Sequence, residues 1–319
     1  METRVGPLTL RWQRRVLGVA RAFRPDVLIV SGELGNVSSW LVCAWARLSG
    51  RPVVLWTSGW EPQPPGSGPY RVKRVVMRWY FQLASKTLVY STKAMTDLVA
   101  LGIAEDRLTV CRNAIEVSQR LQREPEIRAT AAALRESEGI GDRVLFLSVG
   151  RVVQSKRLDL LVAAFEEVGD PRQAVLWVVG DGPQLAALKA RTARSGRPNV
   201  KFWGSVFTDV DSYFAAADCF VLPGLGGLAL NQAMLFGVPC VCSVADGTED
   251  DLVIDGVTGV RFAPADVTSL AAALARVMTL KQDGSLRHMG DAARTLLLES
   301  STVDHMVETF RATVPSVVV

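Results

Sequence analysis

The stretch AVLWVVGDGP, residues 174–183, joins an apolar run to a glycine turn and a proline. Seven consecutive uncharged residues predict a strand that is buried on both faces, which is typical of a parallel sheet covered by helices. The glycines predict a turn directly after the strand, and Pro183 predicts that a helix begins there. The stretch therefore indicates one strand–turn–helix unit of an α/β domain.

The same unit recurs along the 319-residue chain. Apolar runs predict strands at 26–30, 52–56, 86–90, 144–150, 174–180, 200–204, 219–223 and 239–243. Amphipathic stretches between the first of them predict helices at 10–22, 37–49 and 71–84. This alternation predicts an α/β fold of two doubly wound, Rossmann-like domains, whose ligands bind beyond the carboxyl ends of the strands.

The predicted domain boundaries follow the polar stretch 114–142, which we interpret as the connection. Residues 1–115 form the first domain and residues 116–299 the second. Residues 300–319 are expected to form a helix or tail that packs back on the first domain.

The composition indicates the cellular compartment of the protein and its relation to a membrane. The five cysteines are scattered and odd in number, which predicts free, buried thiols in a reducing compartment. Arginines interrupt the N-terminus, so no signal-peptide core is present, and no apolar run is long enough to span a membrane. We expect a cytoplasmic protein, or one peripheral on the cytoplasmic membrane face. Residues 1–115 carry 16 basic and 7 acidic side chains, a balance of +9, so this half is expected to meet something anionic.

Two loops of the second half suggest an anion site. Arg151 and Lys156 follow a predicted strand, and two fixed cations suit a diphosphate, although a pair of solvated surface cations fits as well. The stretch PGLGGLALNQAM, residues 223–234, leads glycines into a predicted helix, whose free amides and dipole favour phosphate.

The order of motifs across residues 112–300 resembles the donor domain of the family 4 glycosyltransferases: GRxxxxK, GDGP, VxFxG, a Gly-rich turn, AMxxGxPxV and DGVTG. The resemblance implies a retaining enzyme of the two-domain GT-B architecture, with its domains facing a cleft. It implies a UDP- or GDP-sugar donor, no separate cofactor and no metal, with Arg151 and Lys156 on the diphosphate. The donor-binding residues it implies are Gly150, Gly204, Ser205, Val206, Gly224, Gly226, Gly227, Leu228, Ala229 and Gln232.

The chain departs from the family pattern on the donor side. Relatives usually carry two glutamates with seven residues between them, and these positions fall on Gly224 and Gln232 here. Gln232 can still serve the ribose hydroxyls as a neutral donor and acceptor, whereas Gly224 offers backbone alone. We expect Gln232→Glu to keep or improve donor affinity.

The acceptor side departs as well. Ser58 occupies the position of a histidine that usually lies near the reacting sugar, with Glu33 and Glu61 as polar replacements or ordinary loop acids. Only some 24 residues precede the strand at 26–30, so the N-terminal domain is expected to be incomplete. Three explanations are open: the true start lies upstream, the domain is reduced, or a protein partner supplies the missing part.

Asp209 and Asp211 form a DxD sequence, the metal motif of a different glycosyltransferase architecture. Because they open a predicted helix, we interpret them as capping residues rather than metal ligands.

The segment YRVKRVVMRWYFQL, residues 70–83, places Arg71, Arg74 and Arg78 on one helical face. Val72, Val75, Val76, Trp79 and Phe81 are expected around the remainder. This pattern favours an interfacial helix on an anionic membrane surface, and the alternative is a packing helix with a solvated basic stripe. The charge alone would also suit nucleic acid, but no nucleic-acid motif is present.

Together these features predict a metal-independent retaining hexosyltransferase that modifies a lipid-linked or cell-surface glycan precursor. Arg151, Lys156 and Ser58 are its candidate catalytic residues. The alternative is a non-catalytic, degenerate glycosyltransferase that binds nucleotide or serves as a subunit.

Overall fold

A computed structural model describes residues 2–5, 8–59, 68–168, 170, 172–196 and 199–314. The chain forms two compact units. Unit 1 contains the described residues up to Arg112 and those from Met306 onward, and unit 2 contains Asn113–His305. The prediction placed the corresponding divisions after residues 115 and 299.

Unit 1 holds a parallel four-stranded sheet in the order β3-β4-β5-β6 and a separate antiparallel hairpin of β1 and β2. Its strands are β1 (Glu2–Val5), β2 (Leu8–Arg11), β3 (Leu28–Ser31), β4 (Val53–Thr57), β5 (Lys86–Val89) and β6 (Leu108–Val110). Its helices are α1 (Val16–Phe23), α2 (Val37–Leu48), α3 (Gly68–Leu83) and α4 (Thr92–Leu101). The predicted strands are all present, but the four strands stand in chain order without the reversal of a doubly wound sheet.

Unit 2 is doubly wound, with six parallel strands in the order β12-β11-β10-β7-β8-β9. Its strands are β7 (Val144–Val149), β8 (Ala174–Val179), β9 (Val200–Gly204), β10 (Cys219–Leu222), β11 (Cys240–Cys242) and β12 (Gly259–Arg261). Its helices are α5 (Ser118–Gln122), α6 (Glu124–Ser137), α7 (Leu158–Val168), α8 (Leu185–Arg194), α9 (Val210–Ala216), α10 (Ala229–Leu235), α11 (Thr248–Leu252), α12 (Val267–Gln282) and α13 (Ser285–Ser300). A last helix, α14 (Val303–Thr313), crosses from unit 2 into unit 1.

The helix predicted at 10–22 is wrong in its first part. Arg11 ends β2, and helix α1 starts only at Val16. Tertiary hydrogen bonds override the local helical pattern, because the amide of Arg11 donates to the carbonyl of Gly35 at 2.7 Å. The amide of Gln13 likewise donates to Ser38 Oγ at 2.6 Å.

Helix α3 has one buried face and one exposed face. Met77, Tyr80 and Phe81 are buried, and Tyr80 stacks on Trp40 with a 4.4 Å centroid separation. The expected exposure of Phe81 is therefore wrong. Val72, Val75, Val76 and Trp79 form the opposite, exposed face. Helix α3 thus has two apolar faces, and one of them is left uncovered within the described residues.

The five cysteines are free and buried, as predicted. No helix among the described residues has the length and apolar character needed to cross a bilayer.

The polar stretch 114–142 is more than a connection, because α6 packs into unit 2 with Ile127 and Ala131 buried in its core. Its first residue, Glu124, accepts hydrogen bonds from Arg294 of α13 at 2.6 and 2.7 Å. Hydrogen bonds from Arg294, followed by those from Arg128, hold the pKa of Glu124 at about 2. This ion pair holds the start of α6 against α13.

We predict that Glu124→Gln lowers the free energy of unfolding at pH 7 by about 1–2 kcal/mol. This is less than the largest contributions of hydrogen bonds between charged groups, because Arg294 is 27% exposed and solvent screens the pair. The depressed pKa makes the contribution of Glu124 complete above its ordinary value of 4.5 and lost as the pH falls toward about 2. Urea unfolding at pH 7 and pH 3 should show the difference shrinking in acid. The control is Glu126→Gln, on the same helix but 75% exposed. A pH-independent loss would contradict this account.

Candidate active site

The candidate site lies in unit 2 where the direction of strand winding reverses. Strands β7 and β10 are neighbours there although three helices and two strands separate them in the sequence. Ligands of doubly wound sheets bind beyond the carboxyl ends of strands at such a point. The loops that follow β7 and β10, residues 150–157 and 223–228, are the two sequence-predicted anion loops.

These two loops are in direct contact. The amide of Leu225 donates to the carbonyl of Ser155 at 2.8 Å. The Lys156 amine donates to the carbonyl of Leu225 at 2.7 Å and also to that of Gly226. The backbones approach so closely that a Cβ added at Gly224 would lie 2.7 Å from the carbonyl carbon of Lys156.

That approach explains the glycine at position 224. A side chain there could enter only if residues 155–156 moved, because backbone atoms rather than a flexible side chain occupy the space. The packing of this chain therefore leaves no room for the family glutamate at position 224, which the sequence alone did not show.

The GDGP loop, which follows β8, contacts and supports the loop that follows β7. The amide of Gly150 donates to the carbonyl of Val179, and that of Val152 to Asp181, both at 2.9 Å. A Cβ added at Gly180 would meet the carbonyl carbon of Gly150 at 2.9 Å, and one at Gly182 would meet that of Val152 at 2.8 Å. The GDGP motif is thus a close backbone contact that holds the loop carrying Lys156.

Lys156 lies in a partly desolvated, mixed-charge environment. Burial lowers the pKa of its amine, and the nearby Asp246 carboxylate raises it part of the way back. Asp246 also lies against Gly226, where an added Cβ would meet its Oδ2 at 2.9 Å. The sequence analysis missed Asp246; its only signal is its place in the loop after β11.

Glu249 holds the loop that presents Asp246. Its buried carboxylate accepts from the amides of Ala245 at 2.5 Å, Asp246 at 3.2 Å and Gly247 at 3.0 Å. Burial is the main cause that raises the pKa of Glu249. This residue was also missed, since a lone glutamate at the start of a short helix carries no distinctive spacing.

Three backbone amides lie in the loop that Lys156 contacts. Within the described part of the chain, the amides of Gly226, Gly227 and Leu228 donate to no backbone carbonyl. Ala229 begins α10, and a Cβ added at Gly227 would lie 3.7 Å from the Lys156 amine. Free donors beside a fixed cation can hold an anion.

Gln232 has a partner that the sequence did not predict. Its Nε2 donates to Asp211 Oδ1, and the Asp211 carboxylate is also paired with Arg120 Nε at 3.2 Å. Asp209 occupies the N-cap position of α9, but its side chain makes no capping bond and lies 3.6 Å from Arg123. The capping prediction is therefore wrong for Asp209, because arginines of the preceding helices compete for both carboxylates.

The described residues contain no group of three or more His, Cys, Asp or Glu side chains placed to hold a metal ion.

The remaining donor-side candidates have open surroundings. Arg151 is exposed on the loop after β7. Gly204 adopts a left-handed φ of 73°, and no atom lies within 4 Å of a Cβ added there. Ser205 is exposed, and Val206 packs on the core. The structure gives no contact between Arg151 and Lys156, so their pairing on one ligand stays a prediction.

In unit 1, Ser58 is exposed directly after β4. The next residue is fixed, because the amide of Gly59 donates to Thr57 Oγ1 at 3.1 Å. Glu33 is paired with Arg11 at 2.9 Å, so its carboxylate is already engaged. Glu61 lies outside the described residues.

Two α/β units with parallel sheets, one of them doubly wound with two loops in contact at its switch point, define an α/β protein of the GT-B class. Residues 2–114 match the model of the glycosyl transferase 4-like domain, and residues 143–279 match that of glycosyl transferases group 1. The chain belongs to the glycosyltransferases that combine these two domains.

The chain is 28% identical over 308 residues to the sulfoquinovosyl transferase SQD2 of Arabidopsis thaliana, a match that covers 90% of this chain and 56% of that protein. It is 30% identical over 285 residues to a glycogen synthase of Mycobacterium tuberculosis, covering 82% of this chain and 62% of that protein. The chain thus spans less than two thirds of the length of these curated relatives.

Solved structures support the fold. The HepE protein of Anabaena, crystallised in complex with UDP, superposes with a TM-score of 0.77 at 20% identity, covering 95% of this chain and 81% of that one. The lipopolysaccharide outer core galactosyltransferase WaaB superposes with a TM-score of 0.70 at 17% identity, covering 94% and 78%. The predicted GT-B fold is confirmed.

We predict that Gly224→Ala lowers the free energy of unfolding by about 1–3 kcal/mol, because the new methyl group would push the two anion loops apart. Denaturant unfolding followed by circular dichroism measures this loss. The control is Gly18→Ala, at an exposed helical position where an added Cβ meets nothing within 4 Å. Equal stability of the wild type and Gly224→Ala would show that the loops are not packed as described.

Proposed function

We propose that the protein transfers a hexose from a nucleotide-sugar donor, UDP- or GDP-linked, to a glycan or lipid-linked acceptor. The observation that carries the proposal is the switch-point arrangement of unit 2, where the Lys156 amine lies beside the unbonded amides of Gly226–Leu228. Family membership and the UDP bound by HepE support a nucleotide-sugar as the donor.

In this proposal the diphosphate displaces the two carbonyls that Lys156 now contacts, and the loop amides bind the phosphate oxygens. Arg151 reaches the same diphosphate from the exposed end of its loop. The open space in front of Gly204 accepts the nucleobase, flanked by Ser205 and Val206. Gln232 contacts the ribose.

Chemistry in this proposal needs no metal, because the cations that neutralise the leaving diphosphate are protein side chains. Transfer proceeds with retention of the anomeric configuration, as the family resemblance implies. Ser58, which stands where relatives carry histidine, lies on the acceptor side.

The alternative, a non-catalytic nucleotide-binding subunit, draws support from two residues. Gly224 has no room for the family glutamate, and Gln232 already has a partner in Asp211. Among the described residues, β3 is an edge strand of the unit 1 sheet and Ile29 is half-exposed, so in this alternative a protein partner would pair there.

We predict that Arg151→Ala and Lys156→Ala each weaken binding of UDP or GDP about 10- to 100-fold, the loss of one charge-assisted hydrogen bond or pair. Calorimetry in EDTA measures binding, and the same buffer serves a turnover assay with UDP- and GDP-sugars. Arg172→Ala is the control, because this arginine is 90% exposed and lies before β8, at the opposite end of the strands.

Unchanged affinity in both variants would overturn the diphosphate assignment. Binding without turnover of any donor would favour the non-catalytic alternative. Loss of activity in EDTA that manganese restores, or an inverted product anomer, would each contradict the corresponding part of the proposal.

We further propose that unit 1 meets an anionic membrane surface through the exposed face of α3. Val72, Val75, Val76 and Trp79 are spaced along one side of the helix and are between 43% and 70% exposed. Arg74 and Arg78 are exposed on the same helix. An apolar stripe beside cations is the pattern of an interfacial helix.

Arg74 and Arg78 also contact the neighbouring helix α4, which the sequence did not indicate. Arg74 Nη2 donates to the carbonyl of Ala100 at 3.0 Å, and the guanidinium of Arg78 lies against Gly102. Both therefore approach the C-terminal end of α4, where a cation is favourable. Arg71 belongs to the first turn of α3, where the structure describes the backbone alone.

We predict that Val75→Ser combined with Trp79→Ser abolishes co-sedimentation with phosphatidylserine-containing vesicles, because it removes the apolar part of the contact. Replacing Arg74 by Glu should weaken it by about 1 kcal/mol per charge removed near the surface. The control is Leu48→Ser, at an 89% exposed position outside α3. A wild-type protein that never sediments with these vesicles would show that α3 is not a membrane surface.

A further inference from the structure

Three side chains from three helices of unit 2 form a continuous polar chain. Arg120 of α5 contacts Asp211 of α9 through its Nε, at 3.3 Å to Oδ1 and 3.2 Å to Oδ2. The carboxylate in turn accepts from Gln232 Nε2 of α10. Arg120 itself is anchored, since its Nη1 donates to the carbonyl of Glu116 at 2.6 Å.

This chain fixes the orientation of the Gln232 amide. A carboxylate paired with a guanidinium can only accept hydrogen bonds, so the NH₂ group of Gln232 must face Asp211. The carbonyl oxygen Oε1, on the opposite edge of the planar amide group from the Asp211 contact, is then available as an acceptor. An amide without such a partner could turn either end toward a ligand.

The same contact determines which residues position 232 can hold. A glutamate there would bring a second carboxylate within hydrogen-bond distance of Asp211, and the two charges would repel each other. Arg120 offers one guanidinium, which is already engaged with Asp211 and the carbonyl of Glu116. Positions 211 and 232 are therefore coupled: Asp211 requires a donor at 232.

We propose that Asp211 is a positioning residue for nucleotide recognition: it holds Gln232 so that Oε1 accepts a hydrogen bond from a ribose hydroxyl of the nucleoside diphosphate. This inference rests on the proposed function, because it needs a nucleotide in the switch-point site. It reverses the expectation from sequence that Gln232→Glu keeps or improves donor affinity. In this chain the substitution fails unless Asp211 is changed with it.

The experiment is a double-mutant cycle on binding of UDP or GDP, whichever the wild type binds more tightly, measured by calorimetry. We expect Gln232→Glu to weaken binding about tenfold and Asp211→Asn to have a small effect, because the Asn oxygen still accepts from Gln232. The double variant Asp211→Asn, Gln232→Glu should return close to wild type, since the Asn amide can donate to the new carboxylate.

The control cycle combines Gln232→Glu with Asp209→Asn. Asp209 belongs to the same acidic pair in the sequence but contacts Arg123 instead. Its replacement should give no rescue. Rescue by both asparagines would indicate a general charge effect and overturn the specific contact, as would wild-type affinity in Gln232→Glu alone.

A second measurement separates nucleotide positioning from a merely structural role. The ratio of affinities for the ribonucleotide and its 2′-deoxy and 3′-deoxy analogues should fall toward one in Asp211→Ala, because the amide is then free to rotate. Damage to the fold would weaken all three ligands equally and leave the ratio unchanged, which would overturn the inference. If the wild type binds neither UDP nor GDP, the proposed function fails, and the inference fails with it.

Discussion

The contact between the loops that follow β7 and β10 is the constraint on which unit 2 depends. Lys156 reaches across from one loop to the carbonyls of Leu225 and Gly226 in the other, and Gly224 lets the two backbones meet. Each further loop supports this contact from outside. The GDGP turn braces the Lys156 loop, and the Glu249-anchored loop places Asp246 beside Gly226 and Lys156. Four strand-ending loops thus hold one amine and a few free amides in a fixed arrangement.

That arrangement also bears on the two positions at which this chain departs from the family motif. Backbone atoms leave no room for a glutamate at position 224, and Gln232 donates to Asp211, the contact on which we base the proposal that a glutamate at 232 is disfavoured. Both departures look like simple losses when the sequence is read against the family motif. In the structure each is matched to a neighbour that is distant along the chain, Ser155–Lys156 in one case and Asp211 in the other. The glycine at 224 fits the packing of its neighbour, and the glutamine at 232 fits the charge of its neighbour.

Unit 1 poses a different problem, because its apolar surface exceeds what its own core can bury. Helix α3 covers the sheet with Met77, Tyr80 and Phe81 and still exposes Val72, Val75, Val76 and Trp79. Exposed apolar residues are common one by one, but a row of four with helical spacing is less usual and is the observation behind the proposed membrane contact. Arg74 and Arg78 of α3, which contact the C-terminal end of α4, are the reason that the proposed partner is anionic.

The sequence by itself determined eight of the twelve strands that the structure describes, the doubly wound class of unit 2 and the family. These features depend on runs and motifs of neighbouring residues, so a linear reading reveals them. Tertiary structure alone decided that residues 10–15 are not helical, that Phe81 is buried, that Asp209 pairs with Arg123 instead of capping α9, and that Asp211 in the first turn of α9 pairs with Arg120. It also decided why position 224 is a glycine and what holds Gln232. The reason is the same in each case: the deciding partner lies tens of residues away, and only folding brings its backbone or charge into contact.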